Sequence, residues 1–314
     1  MVIRYTNDDF NKIIRAGINT RLTQTTIDLI KQLTEKVGNP DYVRTPQFSK
    51  QSSKETNNSG EWEALRKFKV TQLKKSEGID SSIDSIRKHL NKMTKTTYDK
   101  LSKKIIEEIN VIVEKKEMDT ASIKDDPEIK KIGETIYNIA STSAFFSELY
   151  AKFYITLMDN FPFMKEIFNS NFTSFSKIFH EIDYCNPNKD YDKFCENNKH
   201  NEKRRALGLF FVNLMLLEAL SMDSVINIIL TIQNYIMCEM KKEEMDSIID
   251  ELSELIFIMM STIIKHDKNI IRAGEWFEII ENIAMISKLK SNSYPSITNK
   301  AIFKHLDIVD LINK

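Results

Sequence analysis

His180, Cys185, Cys195 and His200 are four side chains able to hold zinc, placed in and beside one polar stretch. A structural zinc site gathers four nitrogen or sulfur ligands, usually as two close pairs roughly two to five residues apart. Here each His–Cys pair has four intervening residues, and nine separate the cysteines. The pairs are at the wide end of that range and the stretch between them is short, so a plain polar insertion is the expectation. Cys185 and Cys195 are also weak candidates as nucleophiles, because no third group in the pattern orients a base beside them. The seven glycines are scattered singly, so no phosphate-cradling loop is encoded. Glu148, Glu218 and Glu275 sit in helical patterns as solvated or cap-paired acids, and Met259-Met260 and Phe145-Phe146 read as core. The expectation is a protein without catalytic residues, metal or cofactor.

The composition sets the frame for the elements that carry these residues. In a chain of 314 residues, 41% hydrophobic side chains suffice for a large core. Seven Gly and six Pro are too few for the tight turns of a sandwich or barrel. The 45 basic and 45 acidic residues balance, so no global field draws the chain onto nucleic acid or an anionic membrane. Any RNA contact is left to local basic patches. Three cysteines leave at least one unpaired, which suits a reducing compartment. With no signal-peptide core and no long apolar run in the sequence, the expected location is cytoplasmic, with no membrane partner.

The pattern is helical almost throughout. Leu22 to Val37 carries a stripe of Ile27, Ile30, Leu33 and Val37, closed by Gly38-Asn39-Pro40. Residues 39–60 are polar and unpatterned and read as a linker. Ile79, Ile83, Ile86, Leu90 and Met93 make the next stripe, followed by Tyr98, Leu101, Ile105, Ile109 and Ile112. Thr96 with Asp99 offers a capping-box-like start to the second. Asp126-Pro127 opens another helix. Further helices are expected near 143–158, 162–182 and 221–236, then at 243–266, 270–289 and 297–312, with a polar loop at 183–200.

One stretch organises the rest. From Ala206 to Leu217 there is no charge and one polar side chain, Asn213. Apolar residues lie all round the helical projection, so other helices must cover this one on both sides. The sum is an all-α chain: an α-solenoid of about five antiparallel helix pairs over 61–314, preceded by a helical or disordered extension over 1–60.

Four motifs in order carry a family resemblance: IRKHLNKMTKTTYDKL at 86–101, AFFSELYAKF at 144–153, KRRALGLFFVNLM at 203–215 and NKAIFKHLDIVDLI at 299–312. Together they resemble the middle domain of eukaryotic translation initiation factor 4G, a stack of HEAT-type helix pairs. Asn213 and Leu214 stand where that family favours Gly-Glu, and Ala301 replaces a basic residue of its closing helix.

The resemblance implies a non-enzymatic scaffold for the DEAD-box helicase, initiation factor 4A. One helicase contact maps to Leu90, Asn91, Lys92 and Thr94, the other to Arg204, Arg205 and Phe211. Read this way, Arg205→Glu should weaken the helicase contact and leave thermal stability nearly unchanged. Tyr5 and Phe10, spaced as Tyr-x4-Phe, resemble the motif through which factor 4G proteins hold the cap-binding protein, factor 4E. Asn11 departs from the apolar residue expected next. The alternative is a related HEAT-repeat scaffold of nonsense-mediated decay, splicing or the nuclear cap-binding complex.

Overall fold

The computed structural model describes residues 6, 8, 11, 12, 22–37, 77–116, 126–174 and 182–314. The chain divides into two units, Met1–Gln72 and Leu73–Lys314. In the first, α1 spans Gln24–Val37, which matches the helix read from the sequence. Along it Leu29, Ile30 and Leu33 are exposed. The expected linker at 39–60 lies outside the described residues.

The second unit is helical, and no strand occurs among the described residues. Its helices are α2 (Ile79–Leu90), α3 (Tyr98–Lys115), α4 (Pro127–Ser141), α5 (Ser147–Asn160) and α6 (Pro162–Ser174). They continue as α7 (Tyr191–Leu216), α8 (Met222–Glu239), α9 (Asp246–His266), α10 (Phe277–Ser287) and α11 (Asn299–Asn313). One row runs through α2, α4, α7, α9 and α11, each packed on the next. Of the helices between them, α3 packs on α2, α5 on α4 and α8 on α7, while α10 packs on α8 and α11. This succession is compatible with an α-solenoid, with α6 wedged against α4 and α5. No helix among the described residues is long and apolar enough to cross a membrane.

Local chemistry sets the helix starts. Asp126 accepts hydrogen bonds from the amides of Glu128 and Ile129, with Pro127 at the first helical position. Ser221 caps α8 through the amide of Ser224, and Thr298 caps α11 through that of Ala301. Residues 206–208 and 210–215 are all buried along α7, and α4, α5, α8 and α9 all pack on this helix. Gly208 lets α9 approach closely there: a Cβ would stand 2.6 Å from Leu255 Cδ1, so that side chain would have to shift. At the junction of α4 to α7, Tyr137, Tyr154, Phe168, Phe210 and Phe211 form edge-on and tilted ring contacts. Such pairs add about 1 kcal/mol each beyond burial.

Three local expectations are corrected. The polar loop ends at Asp190, whose carboxylate accepts from the Lys193 amide and starts α7 at Tyr191, within the stretch expected to be loop and well before the apolar run at Ala206. That first part is solvated and lacks apolar period, so only the cap signals it. The α3 cap is Thr97 and not a Thr96–Asp99 box; Thr97 Oγ1 instead accepts from the Thr94 amide at 2.9 Å. The helix expected at 270–289 begins as two 3-10 turns, Ile270–Arg272 and Gly274–Trp276, before α10.

Candidate functional site

The turns within successive helix pairs share one edge of the stack. Tyr150 Oη, early in α5, donates to the Leu90 carbonyl at the end of α2 at 3.0 Å. Asn213 Nδ2, near the end of α7, donates to Ser147 Oγ at the start of α5 at 2.9 Å. Trp276 Nε1, just before α10, lies 3.3 Å from Met222 Sδ at the start of α8. These ties bring the α2–α3, α4–α5, α7–α8 and α9–α10 turns to a common side.

On that edge, the α2–α3 turn is held by its own hydrogen bonds. Asn91 N donates to Arg87 O and Met93 N to Leu90 O, each at 2.9 Å. Thr97 Oγ1 donates to the Lys92 carbonyl at 2.9 Å and pairs with Thr94 Oγ1 at 3.0 Å. Met93, 1% exposed, pins the turn to the core. Asn91, Lys92 and Thr94 are therefore presented to solvent on a fixed backbone. Leu90, at 0% exposure, is not. It packs inside, so its assignment as a contact residue is corrected to one that supports the turn.

A groove of about 290 Å³ adjoins this turn, lined by Lys95, Tyr98, Asp99, Glu148, Lys152 and Leu217 among others. Lys152 Nζ lies 5.1 Å from the centre of the Tyr98 ring, a cation–π placement. Phe145, in the α4–α5 turn on the same edge, is 88% exposed and not core as its sequence suggested. Sequence reasoning missed Lys152 and Tyr98 as partners; nothing in spacing alone joins positions on different helix pairs.

The second expected set lies on α7. Counting about 1.5 Å per residue, Arg204 stands roughly 20 Å along the helix from the turn at Leu217. Arg204 is buried and donates through a guanidinium nitrogen to Asn201 Oδ1. Arg205 Nε lies 3.6 Å from Glu251 Oε1 on α9. Burial pushes the Glu251 carboxyl pKa up, against the pull of Arg205, Arg204 and Lys300. The same face continues through Lys300–Asp250 at 3.7 Å and Lys304–Glu254 at 2.8 Å, which join α11 to α9. A charged strip thus runs across α7, α9 and α11, and these pairs absorb part of the chain's balanced charge. Phe211 belongs elsewhere. At 0% exposure it meets Phe172 edge-on at 5.0 Å and Phe168 at 6.1 Å. It cannot touch a partner in this state, and its assignment as a contact is corrected to a core role.

Tyr5 and Phe10 lie outside the described residues, as does His180 of the zinc-capable set. Cys185 Sγ lies within donor reach of the Asn186 and Asp190 carbonyls, at 3.7 and 3.6 Å. Among the described residues no group of three or more His, Cys, Asp or Glu is placed to hold a metal ion. In sequence comparison the chain matches no protein-family model and no curated protein.

Proposed function

We propose that this chain is a non-enzymatic scaffold of the translation initiation factor 4G type, which holds a DEAD-box helicase resembling factor 4A. One observation carries the reading. Asn91, Lys92 and Thr94 are exposed on a hydrogen-bonded turn at one end of the helix row, and the charged strip of Arg205, Glu251 and Glu254 lies further along the same row. A stack of packed helices with two separated patches suits a partner built from two mobile lobes. Such a scaffold favours one lobe arrangement only through contacts stronger in that arrangement. The helicase-facing residues are Asn91, Lys92 and Thr94 at the turn and Arg205 on the strip; Leu90 supports the turn from inside, and Arg204 and Phe211 are buried along α7.

The cap-binding protein, factor 4E, is proposed as a second partner through Tyr5 and Phe10, with the exposed apolar face of α1 beside them in sequence. Messenger RNA contributes weakly through local basic groups such as Lys92 and Lys95. The purified full chain should co-elute with factor 4A in size-exclusion chromatography, and Lys92→Glu should reduce that co-elution. A pull-down with factor 4E should succeed for the parent and fail for Tyr5→Ala with Phe10→Ala. Absence of factor 4A from the chain's fractions removes the helicase reading; equal recovery of parent and double variant on factor 4E removes the second partner.

A further inference from the structure

Between α4, α6 and α7 lies a cleft of about 430 Å³ whose described lining includes Tyr137, Ser141, His200, Lys203, Arg204 and Leu207. That volume is within the usual range for small-molecule sites, about 300–1,000 Å³. Among the described lining residues there is no carboxylate, while Lys203 and Arg204 bring two positive charges. Lys203 is exposed and Arg204 buried, so one charge is at the mouth and one is held within the protein.

Tyr137 supplies the second, independent observation. The residue is 4% exposed and its hydroxyl has no hydrogen-bond partner. Its neighbour Tyr154 is also buried, yet donates to the Met164 carbonyl at 3.0 Å. Edge-on contacts with Tyr154 at 5.9 Å and Phe210 at 6.3 Å fix the Tyr137 ring against the core. A buried hydroxyl left unpaired lowers stability, and burial raises the phenol pKa, so at neutral pH the group is a proton donor. It is the kind of group that a bound acceptor would satisfy.

We propose that this cleft binds a small ligand bearing a phosphate group, with the hydroxyls of Tyr137 and Ser141 and the cations Lys203 and Arg204 directed to its oxygens. A phosphate monoester offers three strong acceptor oxygens, which match the several hydroxyl and cationic donors of this lining better than the two oxygens of a carboxylate do. A neighbouring cleft shares His200 and Arg204 but carries Asp183, Asp190, Asp192 and Glu196. Those acids repel an anion, so the phosphate is confined to the side whose described lining carries no carboxylate. The inference does not depend on the helicase reading.

Thermal melting of the full chain in inorganic phosphate, against chloride at matched ionic strength, tests it. The parent should melt higher in phosphate, and Lys203→Gln and Tyr137→Phe should each lose most of that rise. In chloride, Tyr137→Phe should melt at or above the parent, because it removes an unpaired buried hydroxyl, and Lys203→Gln should match the parent. Equal melting of the parent in both salts overturns the proposal. So does a rise that both variants retain in full, since salting-out would raise the parent and its point variants alike. Tyr137→Phe melting below the parent in chloride removes its premise, because the hydroxyl would then have a partner.

Discussion

Arg205 on α7 and Glu251 on α9 face each other at 3.6 Å, with the glutamate side chain 8% exposed and the arginine 30% exposed. This cross-helix pair alters what Arg205 is for. From the sequence it is a helicase contact, with pairing to helix-end carbonyls as the competing role; in the fold it is the nearest counter-charge of a buried carboxylate.

Arg205→Glu should therefore destabilise the stack, against the expectation from sequence. Losing the pair and adding a second carboxylate beside Glu251 should cost about 2 kcal/mol, the buried-pair figure reduced for the part-exposed arginine. Adding Glu251→Gln should recover part of that loss. A melting temperature unchanged in Arg205→Glu would show that the pair contributes nothing.

Asn213 interrupts the apolar run of α7 and donates to Ser147 Oγ, with both side chains buried. Asn213→Ala and Ser147→Ala should each cost about 1–3 kcal/mol, because each strands the other's polar group. The double variant should cost less than the sum of the two, which a double-mutant cycle by denaturant unfolding would measure. Simple additivity would mean that the two side chains do not act on each other.

His305 in α11 is fully buried, with Nδ1 at 2.8 Å from the Ala301 carbonyl and Nε2 unpartnered. Burial lowers its pKa from 6.5 to about 4, the backbone contact opposing this only in part. The unfolded chain binds this proton first, so the contribution to stability is intact above about pH 6.5 and is lost as pH falls towards 4. The full effect is roughly 3 kcal/mol. Glu251 shifts in the opposite sense, because a raised folded pKa favours the native state on protonation. The difference between the parent and His305→Leu isolates the histidine: the variant should lose less stability between pH 7 and pH 4, values chosen to bracket roughly the titration range. Parallel pH profiles would contradict the assignment.

How far the sequence discloses this depends on the kind of interaction. Stripes at three and four residue spacing locate α2, α3, α4, α8 and α9, because burial on one face leaves a period that can be read directly. The all-round apolar run at 206–217 marks the central helix for the same reason. Caps with a local partner, Asp126 and Ser221, are legible too. The first ten residues of α7 are not, since a solvated helix has no apolar period and Asp190 alone announces it. Partners on different helices, such as Lys152 with Tyr98 or Arg205 with Glu251, leave no trace in spacing. The burial of Leu90 and Phe211 beside exposed neighbours is likewise fixed only once the pairs are stacked.

Glu218 ends α7 with a φ of 62°, a left-handed conformation unfavourable to a residue with a Cβ. The Ala219 and Leu220 amides return to the Leu214 carbonyl at 2.9 and 3.3 Å and hold the turn. Glu218→Gly should raise stability by about 1 kcal/mol, read as a higher denaturant midpoint. A lower midpoint would mean that the carboxylate contributes more than the backbone conformation costs.

The central claim is that the exposed α2–α3 turn holds a DEAD-box helicase. Its most direct test is the RNA-dependent ATPase rate of factor 4A, measured with and without the purified full chain and with Lys92→Glu. The side chain of Lys92 is exposed on a turn fixed by backbone and threonine hydrogen bonds, so the variant should melt as the parent does. The account predicts a faster ATPase with the parent chain and at least a several-fold higher half-maximal concentration with Lys92→Glu. An ATPase rate that the parent chain leaves unchanged, with no binding detected, would contradict the claim.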